Sequence, residues 1–435
     1  MLGHYFELAL RSFKSSRGLT ILMLLTIAIG VAACMTTLTV FYVLSRDPIP
    51  AKSAQLYNIQ LDAERLGNGF QPGGEPTQQL TRLDAEALLR EARADKQVMM
   101  TGGGVALTPE QSGERPFNVR ARYPSADFFA MFDAPFLYGG GWSKADEQAE
   151  ARVVVISREL NERLFGGADS RGKMLRLRDK DMRIIGVLDH WRPVPHYFDL
   201  TLGSFADTAE VFVPFATAIT LKFSSWGNFN CWANVAPSEA RNVGAPCAWL
   251  QYWVQLDTPA KASAYLDYLK RYSDAQRSAG RFERPTNVRM RPVMAWLDAN
   301  RVVPHDISLQ LWLAFGFLAV CLTNTVGLQL AKALRRSGEI GVRRALGAPR
   351  RQIFLQFLVE AGSLGLVGGV LGLALTWAGI WAVRQGSSDY GALVHMDLTM
   401  LATTLGLALL ASLTAGLLPA WRAAQVQPAL QLKSQ

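Results

Sequence analysis

The sequence has little with which to build a catalyst. Its 435 residues include only 5 histidines and 4 cysteines. Neither an H-E-x-x-H zinc motif nor a G-x-S-x-G nucleophile turn occurs, so the chain is expected to hold no catalytic residues. His190 and His196, on either side of Pro193 and Pro195, lack the Cys/His company of a structural metal site. Both are expected at the surface, with no metal bound. The run from Gly167 to Met174 fits G-x-x-x-x-G-K but places Met where a phosphate-binding loop needs a Ser or Thr hydroxyl for Mg²⁺. A turn is expected there, and no cofactor is expected on this chain. Gly102–Gly104 and Gly139–Gly141 lack the strand–helix setting of a dinucleotide fold and are likewise expected to be turns.

Charge is also scarce, at 19% of residues, and its balance is basic at +9. Residues 46–306 hold 32 Lys/Arg against 31 Asp/Glu, so the excess lies almost wholly outside them. A nucleic-acid binder would carry its basic patch on a soluble domain. Here the excess flanks apolar segments, as in membrane proteins, and nucleic acid is excluded as a partner.

Four uncharged runs stand out: Leu19–Leu44, Ile307–Ala331, Ala361–Val383 and Leu398–Trp421. Each exceeds the roughly 20 residues that cross a bilayer core. The first is too long for a signal-peptide core and leads into Ser45-Arg46-Asp47-Pro48, which is no cleavage site, so it is expected to stay as an anchor. Arg11, Lys14 and Arg17 precede it, a basic cluster from Lys332 to Arg351 separates the second and third runs, and Arg422 and Lys433 follow the fourth. The positive-inside rule then places both termini and the 332–352 segment in the cytoplasm and residues 46–306 outside.

The expected organisation follows. Residues 1–18 form an amphipathic helix at the cytoplasmic interface, with Tyr5, Leu8 and Phe13 against Arg11 and Lys14, or else extend the first span. Transmembrane helices occupy 19–45, 307–331, 353–383 and 398–421. Residues 46–306 are an α/β domain divided near 80–120 and 221–247, 384–397 a short outer loop, and 422–435 a cytoplasmic tail.

Within the external domain Val153–Ile156 reads as a buried strand, and Ser157 caps a helix ended by Gly166-Gly167. Lys173–Leu177 and Arg183–Leu188 read as paired strands, Val211–Val213 and Ala248–Leu256 as further strands, and Pro259–Ser273 as a helix. Cys231 and Cys247 share this compartment and are expected to be bonded, two unpaired thiols being the alternative. Cys34 and Cys321 lie in spans as small apolar residues.

In the third span Gly365, Gly368, Gly369 and Gly372 are spaced for close helix packing. Glu360 is costly in lipid and is expected to snorkel or to pair with Arg350 or Arg351. Asn324 is expected either to bond across helices or to face its own backbone.

The cytoplasmic segment Ser337–Phe354 is the most informative. Glu339–Leu346 has the pattern of a short helix ended by Gly347, with Pro349 opening the next. Its cationic face suits a docking surface, although charge alone would also fit a topology signal. The string E-I-G-V-R-R-A-L-G-A-x-R-R-Q-I from Glu339 resembles the signature of the MacB/FtsX-like permease superfamily, the mechanotransmitting (type VII) ABC transporters. Tyr123–Phe129, Val153–Ser157, Leu164–Gly166, Arg171–Lys173, Ile184–Val187 and Pro419–Ala424 with Pro428–Leu430 are similar to other blocks of that family.

The resemblance implies a four-helix membrane fold with a large α/β domain between helices 1 and 2. It implies a permease subunit, paired with a copy of itself or a sister protein, on a dimer of separate cytoplasmic ABC ATPases that hold ATP and Mg. Glu339, Gly341, Arg343, Arg344, Ala345, Leu346, Gly347, Arg350 and Arg351 would form the ATPase contact. MacB-like systems add a periplasmic adaptor and an outer-membrane channel and expel a small molecule or peptide. A LolC/LolE-type lipoprotein-extracting permease and an FtsX-like regulator of a cell-wall hydrolase are the alternatives. A signalling receptor would need a cytoplasmic effector domain, for which these boundaries leave no room.

Overall fold

The computed structural model describes residues 13, 16–109, 115–386, 391–394 and 396–425. The expected amphipathic helix over 1–18, Asp389 of the outer loop, and Lys433 with the 428–430 block of the tail therefore lie mostly or wholly outside the described residues. Two compact units are present, one formed by Met1–Ser45 with Val303–Gln435 and the other by Arg46–Val302.

The first span is helix α1, Arg17–Ser45. The inserted unit then runs β1 Leu56–Leu61, β2 Leu80–Thr81, α2 Arg82–Glu91, β3 Lys96–Thr108, β4 Phe117–Pro124, α3 Phe128–Met131, β5 Phe136–Gly139 and α4 Lys144–Gln148. It continues through β6 Val153–Ile156, α5 Arg158–Phe165, β7 Met174–Leu177, β8 Lys180–Leu188, β9 Val211–Phe212, α6 Phe215–Thr220, β10 Ser224–Trp226 and β11 Asn230–Cys231. It closes with β12 Cys247–Gln255, α7 Pro259–Ser278, β13 Val288–Pro292 and α8 Val293–Ala299.

One mixed sheet carries the inserted unit, in the order β13-β1-β12-β3-β4-β9-β6-β8-β5. Local chemistry sets several elements. Ser157 accepts from the Leu160 N–H to start α5, and Gly166 ends it at φ 65°, a left-handed cap that glycine adopts without penalty. All four residues of β6 are buried, as its unbroken β-branched run requires. On α7, Thr258 caps the start, and Ala262, Tyr265, Leu269 and Tyr272 face the core at helical spacing.

The division expected near 80–120 does not interrupt the sheet. Strand β3 lies there and serves both halves of it. Its residues Lys96–Met100 pair with β12, and beyond Met100 the same edge is taken over by β10, with Gly102 opposite Trp226. Gly102–Gly104 are therefore mid-strand rather than a turn. A Cβ on Gly104 would collide with the Trp226 ring, and one on Gly103 with the Ser224 carbonyl and the Tyr123 ring. These glycines make room for aromatic side chains from neighbouring strands, a tertiary demand invisible in a local pattern. Segment 221–247 is stitched in at both ends, by β10 on β3 and by β11 on β12. There Cys231 and Cys247 are directly opposed at a Cα separation of 4.1 Å and form a disulfide.

The remaining membrane-unit helices are α9 His305–Arg335, α10 Ser337–Ala345, α11 Arg350–Gln385 and α12 Leu398–Ala424. Helices α1, α9, α11 and α12 are long and apolar enough to cross a bilayer, with mean hydropathy between 1.8 and 2.4 in their most apolar windows. Helix α1 packs on the other three. Glycines let them approach. Gly365 and Gly369 meet Ser412 and Ala408 of α12, whereas Gly368 and Gly372 meet Ile27 and Ala28 of α1. The stripe thus serves two neighbours on two faces of α11. Ser412 donates its hydroxyl to the Ala361 carbonyl. Asn324 is exposed on this chain, and its neighbour Thr325 makes the cross-helix contact instead, 3.3 Å from Thr26.

Candidate functional site: a short helix clamped to three span ends

Helix α10 follows α9 with only Arg336 between them, at φ −102° and ψ 10°. It ends where Gly347 takes φ +96°, a left-handed position costly to other residues. Pro349 then caps α11 in extended geometry. Glu339 lies in the first turn and Arg343 and Arg344 in the last, each favourable to the helix dipole by about 0.3–1 kcal/mol.

The buried side of α10 is Ile340 and Gly341. Ile340 packs with Ala333 of α9, Ile353 of α11 and Ala423 of α12, with Phe357 and Ala348 alongside. Charge is organised on the same side. Arg343 donates to Glu339 Oε1 at 2.5 Å and to Gln356 Oε1 at 3.2 Å. Arg344 donates to the Ala424 carbonyl at 3.4 Å, meeting the orphan acceptors at the end of α12. Glu360 is buried and accepts from Lys332 Nζ at 2.5 Å, with Arg336 Nη1 3.8 Å away.

This corrects the expectation that Glu360 pairs with Arg350 or Arg351. Those arginines begin α11, ten and nine residues before Glu360 and about 14 Å of helix away. Glu360 faces α9 instead. Arg350 and Arg351 are exposed and form no ion pair among the described residues. Lys332 and Gln356 were missed by sequence reasoning as parts of one site. The signal available was a lysine and a glutamate, each at the edge of an apolar run. What projects outward from α10 is mainly apolar: Ala345 is exposed, Val342 is 49% exposed and Leu346 83%.

Other candidates resolve structurally. The Gly167–Lys173 stretch joins α5 to β7, so it follows the C-terminus of a helix and leads into a strand. Ser170 is buried, donating to Asn161 at 2.6 Å, and Lys173 lies over the Phe165 ring. His190 is exposed beside Glu159. His196 is buried, contrary to expectation, against Phe198 at 4.2 Å between ring centres. Burial, and next the nearby Arg122 charge, lower its pKa to about 3, so it stays neutral. Beside it Arg122 and Asp199 form a fully buried ion pair. A cleft of about 500 Å³ opens at the ends of the parallel strands β6 and β8, lined by Trp191, Phe212, Arg120, Arg192, Asp207 and Glu159. Among the described residues no His/Cys/Asp/Glu cluster could hold a metal.

Four spans, a large α/β unit inserted after the first, and a short helix folded onto the span ends define a polytopic membrane protein of permease architecture. Family models confirm the class. The MacB-like periplasmic core domain matches residues 20–272 and the FtsX-like permease C-terminal domain residues 311–428, and the chain belongs to this MacB-like, FtsX-like permease family.

Similar proteins include a pyoverdine export ATP-binding/permease protein, PvdT, of Pseudomonas syringae pv. tomato. It is 27% identical over 99% of this chain and 59% of its own length. A macrolide export ATP-binding/permease protein, MacB, of Marinobacter nauticus is 26% identical over 98% of this chain and 60% of its own. The chain thus spans about three-fifths of the curated relatives it matches. The periplasmic region of MacB from Actinobacillus actinomycetemcomitans matches at TM-score 0.36 and 12% identity, covering 58% of this chain and 95% of that one.

Proposed function

We propose that this chain is the transmembrane subunit of a MacB-type ABC exporter in the inner membrane. Both termini and α10 lie in the cytoplasm, and ATP and Mg are bound by an ATP-binding partner docked at α10. Two permease subunits, identical or sister chains, complete the core. ATP binding moves α10, the spans transmit that motion, and the periplasmic unit rearranges to expel a small molecule or peptide through an adaptor and an outer-membrane channel. This chain itself performs no hydrolysis.

The carrying observation is the build of α10. It is anchored at once to α9, α11 and α12 through Ile340, Arg343 and Arg344. A force on this helix therefore reaches three spans together. Its exposed Val342, Ala345 and Leu346 offer an apolar knob. The similar proteins PvdT and MacB are export ATP-binding/permease proteins, which supports the same reading.

The test is ATP hydrolysis by the purified chain alone and with a co-expressed ATP-binding subunit from the same genome. No turnover alone, and turnover by the complex that falls when Leu346→Glu is introduced, are expected. Turnover by the isolated chain that survives Lys173→Ala would overturn the reading.

A further inference from the structure

The polar groups between α9, α10 and α11 form a closed circuit. Glu360 on α11 takes a hydrogen bond from Lys332 and lies 3.8 Å from Arg336, both at the end of α9. Arg336 Nε donates to Glu339 of α10 at 3.1 Å, and Glu339 is paired with Arg343. Arg343 then returns to α11 at Gln356, one turn before Glu360. Lys332 is 4% exposed and Glu360 5%, and the ring of Phe13 lies 5.3 Å from the lysine nitrogen.

Two features give this circuit mechanical consequence. Between α10 and α11 the backbone makes a sharp bend at Leu346–Pro349 around the positive φ of Gly347, a natural pivot. A push on α10 could be spent rotating about that bend and leave α11 still. The buried pair opposes this. Separating Lys332 from Glu360 would leave the buried lysine charge without the carboxylate it donates to, and removing one partner of such a pair is strongly destabilising.

We infer that Lys332 and Glu360 are positioning residues that lock the end of α9 to α11 and, through Arg336 and Glu339, hold α10 on it, so that displacement of α10 becomes displacement of the whole span and not rotation about Gly347. This rests on the reading of α10 as the contact for an ATP-binding partner. It adds which residues make that contact effective.

The test uses the full-length chain in lipid nanodiscs, with Cys34 and Cys321 replaced by Ala and nitroxides at Leu346→Cys and Val370→Cys, both at exposed positions. Pulsed dipolar spectroscopy should give one narrow distance in the parent. Glu360→Gln should shift or broaden it by about 5 Å, the rise of one helical turn. The swap Lys332→Glu with Glu360→Lys should narrow it again, a rescue that loss of packing alone would not produce. Should Glu360→Gln fail to fold, Arg336→Gln is the second variant and should broaden the distance in the same sense.

A distribution that stays narrow in a folded Glu360→Gln or Arg336→Gln protein overturns the lock. So does a swap as broad as the single variant. These outcomes are independent of any partner. Failure of α10 to crosslink to an ATP-binding subunit, with the lock intact, would instead remove the docking reading alone.

Discussion

The inserted unit and the membrane unit distribute charge differently, although each seals a buried ion pair, Arg122–Asp199 in the first and Lys332–Glu360 in the second. In the first, ion pairs are many and mostly exposed, such as Arg120–Asp207 and Arg171–Asp169. Exposed pairs of this kind are each worth about 0–1 kcal/mol. In the second, nearly all charge is withheld from the spans and gathered at the ends of α9, α10 and α11, where Lys332–Glu360 is sealed from solvent. Scarcity makes the second set informative. A polar group kept where it is costly marks a place that must hold one geometry.

This contrast can be broken by experiment, and the largest effect belongs to the membrane unit. Glu360→Leu should lower stability by about 3–5 kcal/mol, because it strands Lys332, whereas Lys332→Met with Glu360→Met should come close to the parent. Thermal melting of the purified protein in detergent reads both. A Glu360→Leu protein melting like the parent would remove the distinction between the two regions.

Next comes the disulfide. Cys231→Ser with Cys247→Ser should cost up to about 3 kcal/mol, confined to the inserted unit. Unreduced mass spectrometry should find the two peptides linked in the parent. Free alkylation of both thiols in native membranes would contradict the bond.

Glycine substitutions should cost about 1–3 kcal/mol in either unit, for different neighbours. Gly104→Val collides with Trp226, and Gly369→Val with Ala408 of α12. Trp226→Ala should relieve the first and leave the second unchanged.

A smaller effect is a pH dependence in the inserted unit. The folded pKa of His196 lies near 3, against 6.5 when unfolded, so the unfolded chain binds the extra proton. Its contribution is complete above pH 6.5 and declines as pH falls toward 3, by at most about 1.4 kcal/mol per unit. Glu147 acts in the other direction. Burial raises its pKa from 4.5 to about 7, so its contribution is complete below 4.5 and is lost as pH rises through 7. His196→Leu should flatten the acid limb of the stability profile and Glu147→Gln the neutral limb. The smallest expected effect is Asp207→Asn, under about 1 kcal/mol despite its contacts with Arg120 and Arg192.

What was legible in the sequence was local. The four apolar runs, the Ser157 cap, the Gly347 bend and strand β6 each depend on a few adjacent residues, and their chemistry decides them. The four glycines of α11 were visible as a stripe, but not that alternate members serve different helices. Three other features had to wait for tertiary structure. Gly102–Gly104 carry the signature of a turn, yet Gly103 and Gly104 answer to the rings of Tyr123 and Trp226 from β4 and β10, and Gly102 to Leu202. His196 reads as a surface residue because local sequence does not show that it is buried beside Arg122 of β4. Glu360 reads as a residue that snorkels or pairs with Arg350 or Arg351 of its own helix, whereas Lys332 and Arg336 reach it from the end of the preceding span. Each miss concerns a contact between elements, which local spacing does not encode.

The claim that most depends on these contacts is that α10 is where an ATP-binding subunit engages this permease. Cysteine crosslinking from Leu346→Cys, the most exposed large apolar side chain of that helix, tests it directly in complexes with a co-expressed ATP-binding subunit. The account predicts a specific crosslink that changes in yield when ATP is added, and that is weakened by Arg343→Glu or Arg344→Glu, since both arginines hold the helix in place. No crosslink from either Leu346→Cys or Ala345→Cys in assembled complexes, with both Arg→Glu variants exporting normally, would contradict it.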